Sequence, residues 1–141
     1  MSNQTDTAIH PYLTFNGNCR EAMTFYKESL DAGLEIMDFG SAPMEVPEEA
    51  KNNVLHAILT RDGITLMASD CRPGQPVKAG DNVSLSDNCT SRAQADTFFN
   101  RLGAGGTVTM PLEDTFWGAY FGMLTDQFGI HWMFNYDEPR P

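Results

Sequence analysis

An internal repeat divides the 141-residue sequence into two halves with the same order of predicted elements. Asn18-Cys19 precedes the first predicted helix, and Asn88-Cys89 precedes the second. The other matched segments are Phe25-Tyr26 with Phe98-Phe99, Gly33 with Gly105-Gly106, and Leu59-Thr60, Gly63-Ile64 and Met67 with Leu124-Thr125, Gly129-Ile130 and Met133. Because several matches occur in one order, we predict two copies of a single structural module.

Hydrophobic periodicity gives each half the order β, α, β, β, β. The first half has predicted strands at 9–15, 34–39, 54–60 and 64–69 and a helix at 19–30. The second half has predicted strands at 82–86, 107–112, 119–125 and 130–136 and a helix at 91–102. The predicted fold is α+β: two tandem βαβββ modules at 8–71 and 78–137, joined by a linker at 72–77, in one compact unit. Each curved mixed sheet would carry its helix on the outer face.

Composition limits the partners of such a protein. With 9 basic and 19 acidic residues, the net charge of −10 argues against nucleic acid and anionic membranes. The acidic surface would suit a cationic ligand, or it serves solubility alone. No apolar stretch reaches the roughly 18 residues of a membrane span, and the N-terminus has no signal-peptide pattern. Three cysteines without CxxC spacing indicate reduced thiols, so we expect a cytoplasmic protein.

Three groups of residues carry a resemblance to a known family. They are Pro11-Tyr12-Leu13-Thr14-Phe15-Asn16-Gly17-Asn18-Cys19 with Ala22 and Phe25-Tyr26; His56-Ala57, Gly63, Leu66-Met67 and Ser69-Asp70; and Phe116-Trp117-Gly118, Tyr120, Gly122, Leu124-Thr125-Asp126, Phe128-Gly129 and Trp132. Together they resemble the PhnB-like branch of the glyoxalase/bleomycin-resistance/dioxygenase (vicinal oxygen chelate) superfamily, a group also labelled 3-demethylubiquinone-9 3-methyltransferase-like.

The resemblance implies the vicinal oxygen chelate fold, usually as a homodimer. Members of the superfamily include isomerases, dioxygenases, thiol transferases and metal-free drug-binding proteins, so the fold alone does not choose a function. The methyltransferase label finds no support in the sequence, because no strand is followed by a glycine-rich turn suited to S-adenosylmethionine. We therefore expect no cofactor.

The resemblance also implies where a metal would be bound. Metal-dependent members carry His or Glu at inward positions of the first, fourth, fifth and eighth strands, which here correspond to Pro11, Met67 (Leu66 in the other register), Asn82 and Met133. A slip of one residue would bring in His10 but would also turn the whole strand over. These side chains do not form a divalent-cation site, so we predict no metal there. A different site built from His10, His56 and His131 remains an alternative.

The strand faces turned away from the helices are the candidate ligand-binding surface. We place His56 and His131 there because the repeat directs Ala57 and Trp132 toward the helices. The other predicted members are Leu13, Phe15, Met67, Ser69, Ser84, Ser86 and Met133, with Trp117 and Tyr120 from the approach to the last hairpin. Such a mixture is typical of a small-molecule pocket, although Met and aromatic side chains also simply fill cores. We expect the latter for Phe25, Tyr26, Phe98, Phe99, Trp132 and Phe134.

His56 is the best candidate for acid–base catalysis, with Asp70 or Tyr120 as its partner. Cys19 and Cys89 begin helices, where a thiol pKa can fall, but their symmetry favours packing. Three functions stay open: metal-independent binding of an unknown small molecule, an enzyme of lyase, isomerase or dioxygenase type around His56, and a purely structural or partner-binding dimer.

Overall fold

The structure, a computed structural model, describes residues 7–43 and 45–139. Contacts within the chain divide it into two compact units, with the boundary in the sequence between Val77 and Lys78. Each unit contains one helix and one four-stranded mixed sheet. No helix in the described part of the chain is long and apolar enough to cross a membrane.

The first unit is a βαβββ module. Its elements are β1 (Tyr12–Phe15), α1 (Cys19–Leu30), β2 (Gly33–Asp38), β3 (Val54–Arg61) and β4 (Ile64–Asp70), with short 3-10 turns at Phe39–Ser41 and Glu48–Ala50. The strand order is β1-β4-β3-β2, in which β1 runs parallel to β4 and the other neighbours are antiparallel.

The second unit repeats this topology. Its elements are β5 (Leu85–Asn88), α2 (Arg92–Gly103), β6 (Thr107–Asp114), β7 (Ala119–Thr125) and β8 (His131–Asp137). The strand order is β5-β8-β7-β6, again with one parallel pair, β5 with β8. The predicted α+β fold with two βαβββ modules is therefore confirmed.

Residues alternate between two faces of each sheet, and one face is buried beneath the helix of the unit. In the first unit the helix face carries Phe15, Ala57, Leu59, Leu66 and Ala68, and α1 supplies Ala22, Met23, Tyr26 and Leu30. In the second unit it carries Leu124, Trp132 and Phe134, and α2 supplies Ala95, Phe98, Phe99 and Leu102. The opposite face, which we call the open face, holds the remaining strand residues. Of the six aromatic residues predicted for the core, five are buried and Phe25 is half-buried.

Two of the predicted strands begin three residues later than expected, and β8 begins one residue later, at His131. β1 begins at Tyr12 rather than at residue 9, because Pro11 has no N–H to extend the ladder and contributes only its carbonyl, which accepts from the Met67 N–H at 3.1 Å. The strand predicted at 82–86 forms at Leu85–Asn88, where its pairing with β8 starts opposite Trp132. Asn82 and Ser84 therefore precede the strand. α1 matches its predicted limits, and α2 begins after Ser91, whose Oγ accepts from the Gln94 N–H at 3.0 Å as an N-cap.

Candidate functional site

His56 lies on the open face of the first sheet and is held there by Tyr12. The Tyr12 hydroxyl and His56 Nδ1 are 3.2 Å apart, and the two ring centroids are separated by 5.8 Å at a tilted angle. Tyr12 belongs to β1 and His56 to β3, so the contact spans the intervening strand β4. Ala57, the next residue, is fully buried, so His56 faces away from α1 as the repeat predicted.

The pairing of the strands defines the surroundings of His56. One row of the open face runs across four strands and consists of Tyr12, Met67, Ile58 and Glu35. In the neighbouring row Thr14 pairs with Ser69 and His56 pairs with Met37. Tyr12 is 47% exposed and Met37 is 51% exposed, so aromatic and apolar surface surrounds a polar centre. Such a surface can bind an apolar ligand body and direct one hydrogen bond to it.

Asp70 was predicted as a partner of His56, and the structure places it elsewhere. It lies on the helix face, 4% exposed, where Oδ1 accepts from the N–H groups of Gly17 and Cys19 at 2.9 Å each. Its Oδ2 accepts from the Val54 N–H at 2.8 Å. The carboxylate therefore ties the start of α1 to the start of β3. Ala57 pairs with Ala68, and both are buried on the helix face. Asp70 follows Ala68 by two residues and shares that face, whereas His56 is adjacent to Ala57 and lies on the opposite face.

Tyr120, the other predicted partner, also lies on a helix face. Its hydroxyl donates to Asp96 of α2 at 2.6 Å, and the Arg92 guanidinium sits 4.0 Å from its ring centroid. The hydrogen bond to Asp96 is the main reason that the pKa of Tyr120 is raised. Arg92 also donates to Asp114 at 2.6 Å, which lowers the pKa of that carboxyl. Tyr120 thus contributes to the attachment of α2 to β7, and the two predicted partners of His56, Asp70 and Tyr120, are both hydrogen-bonded to other groups.

Phe15 and Leu13 were expected on the ligand-binding face and lie on the opposite one. The parallel register sets Phe15 beside Asp70 and Leu13 beside Ala68, both of which face α1. Tyr12 and Thr14 occupy the open face instead. The sequence contained the signal, because the apolar residues of β1 alternate with Tyr and Thr, which is typical of a half-buried strand. Tyr12 is the open-face neighbour of His56 that the sequence analysis did not include in the candidate surface.

The open face of the second sheet carries a row of methionines. Met110, Met123 and Met133 pair in succession across β6, β7 and β8, and Ser86 of β5 completes the row. Met67 and Met133 thus hold equivalent positions in the two modules, both on the open face as predicted. The thioether side chains give this surface adaptable apolar contacts.

Trp117 adds an aromatic ring to the second open face. It lies in the turn between β6 and β7, 53% exposed, where its ring centroid is 6.1 Å from that of Phe121. Phe121 alternates with the helix-facing Gly122 and therefore belongs to the open face. Gly118 follows with φ of +91°, a conformation that suits glycine and lets the chain reverse directly after the indole.

His131 lies on the second open face as predicted, but both of its ring nitrogens have partners. Nδ1 is 2.9 Å from Thr125 Oγ1, and Nε2 is 3.1 Å from the Gly80 carbonyl oxygen. Because a carbonyl only accepts, Nε2 carries the proton and Nδ1 accepts from the threonine hydroxyl. His131 therefore anchors the segment that leads into the second module. Ser84 is exposed just before β5.

The residues at the expected metal positions do not fit a divalent cation. Pro11 and Asn82 lie outside the strands, and the adjacent open-face pairs are Tyr12 with Met67 and Ser86 with Met133. Thioethers and neutral hydroxyls are poor ligands for hard cations. Among the described residues, no group of three or more His, Cys, Asp or Glu side chains is arranged to hold a metal ion.

The helix-start thiols are shielded rather than activated. Cys19 is fully buried and Cys89 is 8% exposed. Burial, and after it a nearby carboxylate, Asp70 for Cys19 or Asp87 for Cys89, raises the pKa of each thiol to about 12. Both cysteines therefore serve packing, which leaves no nucleophile of this type at either helix start.

The fold is that of the glyoxalase/bleomycin-resistance proteins. A glyoxylase/bleomycin resistance protein/dioxygenase domain from Frankia sp. EAN1pec superposes with a TM-score of 0.67 at 17% identity, covering 96% of this chain and 95% of that one. This likeness shows the fold, two βαβββ modules that each carry a helix on one face of the sheet.

Sequence comparison defines the family more closely. The family model described as 3-demethylubiquinone-9 3-methyltransferase matches residues 7–134, and the chain belongs to this PhnB-like family. Protein YjdN of Escherichia coli strain K12 is 31% identical over 145 residues, covering 94% of this chain and 97% of that protein.

Two solved structures cover nearly the whole chain. Protein PA1353 from Pseudomonas aeruginosa is 44% identical, covers 95% of this chain and 100% of its own, and has a TM-score of 0.86. A putative 3-demethylubiquinone-9 3-methyltransferase, PhnB protein, from Bacillus cereus is 28% identical, covers 92% of this chain and 99% of its own, and has a TM-score of 0.73.

The family name implies S-adenosylmethionine as methyl donor, and the strand-to-helix turns do not fit that group. At the first turn the N–H groups of Gly17 and Cys19 already donate to Asp70. At the second, the Thr90 N–H donates to Gln94 Oε1 at 2.9 Å and the Gln94 N–H to Ser91 Oγ. Backbone donors that a cofactor carboxylate or hydroxyl would use are therefore occupied by side chains of this chain.

Proposed function

We propose that this PhnB-like protein binds small molecules with an apolar or aromatic body on the open faces of its sheets, without a metal ion. The observation that carries the proposal is the methionine row of Met110, Met123 and Met133, flanked by Trp117 in an edge-to-face contact with Phe121. Exposed apolar side chains that gather on one sheet face mark a binding surface, and methionine adapts to ligands of varied shape.

The chain's two tryptophans make this proposal directly testable. Trp117 is 53% exposed on the open face, whereas Trp132 is buried on the helix face and donates to Asp126 at 2.9 Å. Ligands that stack on Trp117 should quench its fluorescence and leave the Trp132 contribution unchanged. We expect quenching by aromatic compounds in wild type and its loss in Trp117→Phe.

A matched variant separates binding on this face from general surface effects. Met123→Glu places a charge in the centre of the methionine row and should weaken binding about tenfold or more. Ile9→Glu changes an exposed apolar residue outside the strands and should have no effect. The proposal would be refuted if no compound in a panel of neutral and cationic aromatic compounds raised the thermal midpoint or quenched the fluorescence. A ligand that binds only the folded state must stabilise that state.

An enzyme of lyase, isomerase or dioxygenase type is the second candidate, favoured by the hydrogen bond between Tyr12 and His56. A half-buried imidazole oriented by a second side chain is the arrangement that general acid–base catalysis uses. Turnover lost in His56→Ala, with folding unchanged, would support this candidate over pure binding.

We propose further that the protein is a cytoplasmic homodimer. Large apolar residues are exposed on the sheet faces, and its three cysteines are unbridged thiols. Native mass spectrometry of the gently purified protein reports the subunit number, any bound metal and any retained organic ligand in one spectrum. A metal-free dimer is expected, and a stoichiometric divalent ion would refute the metal-independent reading.

A further inference from the structure

We propose that Tyr12 is a positioning residue that holds His56 in the Nε2–H tautomer, so that the first open face selects neutral ligands with an acceptor oxygen. This inference rests on the proposed function, because it specifies the ligand that the open face would take. Three observations carry it: the Tyr12–His56 contact, the absence of an acceptor for His56 Nε2 among the described residues, and the negative charge of Glu35 on the same sheet face.

The direction of the hydrogen bond follows from the two groups. Tyr12 Oη and His56 Nδ1 are 3.2 Å apart, and within residues 7–43 and 45–139 neither atom has another hydrogen-bond partner. A phenol is the better proton donor of the pair and an imidazole nitrogen the better acceptor. The O–H therefore donates to Nδ1, which leaves the ring proton of the neutral imidazole on Nε2.

The proton on Nε2 makes the ring a donor toward the open face. In the described part of the chain, no side chain or backbone group accepts from Nε2 of His56. His131 shows the contrast, because its Nε2 donates to the Gly80 carbonyl and is unavailable to a ligand. Of these two open-face histidines, His56 is thus the one whose N–H can recognise a ligand.

The charge of the surface decides which acceptor fits. Glu35 lies on the same open face, where it pairs with Ile58, and the chain carries a net charge of −10. A carboxylate or phosphate ligand would be repelled there. A neutral carbonyl avoids that repulsion, and Met37 and Met67 offer apolar contacts to the body attached to it.

The tautomer can be read in the wild-type protein by nitrogen-15 NMR of the histidine side chains. His131 provides an internal standard for an Nε2–H ring, and the exposed His10 provides one for a solvated ring. We expect His56 to match His131, with an unprotonated Nδ1. In Tyr12→Phe the Nδ1 signal of His56 should shift toward that of His10, while the His131 signals stay in place.

Ligand selection is tested with acetophenone, which has a carbonyl oxygen, and with ethylbenzene, which has none. Acetophenone should bind about five-fold more tightly, the ratio that one net hydrogen bond gives. The preference should disappear in His56→Leu and persist in His56→Gln, whose side-chain amide can still donate. The wild-type spectrum needs no variant, so the tautomer is tested even if a substitution prevents folding.

The outcomes separate this inference from the proposed function. An Nδ1–H tautomer, or an Nδ1 signal unchanged in Tyr12→Phe, overturns the positioning role even if both probes bind, and the proposed function then stands. Equal affinities for the two probes overturn the ligand preference alone. Failure of both probes to bind, with His56 in the expected tautomer, overturns the ligand preference and counts against the proposed function.

Discussion

Replacement of Asp70 by asparagine tests whether this carboxylate is structural. The carboxylate accepts three backbone hydrogen bonds, at 2.9, 2.9 and 2.8 Å, while it is 4% exposed. Asparagine keeps the size and one oxygen, so the bonds from Gly17 and Cys19 persist in weaker, neutral form. The amide NH₂ then faces the buried Val54 N–H, which loses its acceptor. An unpaired buried donor costs about 1–3 kcal/mol, and two weakened bonds add roughly 1 kcal/mol.

We therefore expect Asp70→Asn to lower the free energy of unfolding by about 3 kcal/mol, a hundredfold or more in the folding equilibrium constant. Urea unfolding followed by circular dichroism measures this change. Asp62→Asn is the control, because Asp62 is exposed in the hairpin turn between β3 and β4 and should change stability by less than about 0.5 kcal/mol. An Asp70→Asn protein as stable as the control would refute the structural role and restore Asp70 as a catalytic candidate.

Two further predictions concern packing and thiol chemistry. Gly122→Ala should lower stability by about 1–3 kcal/mol in the same urea assay, since the new Cβ would lie 2.9 Å from Phe99 Cε2; an unchanged midpoint would contradict this. Iodoacetamide at neutral pH should modify Cys71 and spare Cys19 and Cys89 until the protein unfolds. Folding raises the pKa of both buried thiols from 9.0 to about 12, so the folded state favours their protonated form. The stability that this preference gives the fold should be fully present below pH 9 and lost as the pH rises toward 12. Equal labelling of all three cysteines would contradict the burial.

The repeat predicted the fold because it indicates both which segments are strands or helices and which side of each strand faces the helix. Two-residue periodicity in the hairpin strands, with Ala57 and Trp132 assigned to the helix side, was enough to place His56 and His131 on the open faces. The same reasoning placed Met67 and Met133. These inferences needed only strand identity and one buried anchor per strand, both of which are local properties of the sequence.

Relationships across strands could not be predicted in this way. Asp70 was predicted as one of two alternative partners of His56, yet the two side chains lie on opposite faces of the sheet. Tyr12 reaches His56 because the strand order β1-β4-β3 sets them two strands apart on one face. Strand order and register come from long-range pairing, which local patterns do not encode.

The two modules share their buried faces and differ on their open ones. In the central row the first sheet carries Tyr12, Met67, Ile58 and Glu35, and the second carries Ser86, Met133, Met123 and Met110. Packing against a helix demands apolar residues in both modules, so the helix faces must be alike. The open faces do not pack against a helix, so their side chains need not be alike in the two modules. The first open face therefore presents an imidazole and a carboxylate, and the second presents thioether side chains, so the two faces differ in the contacts that each can make.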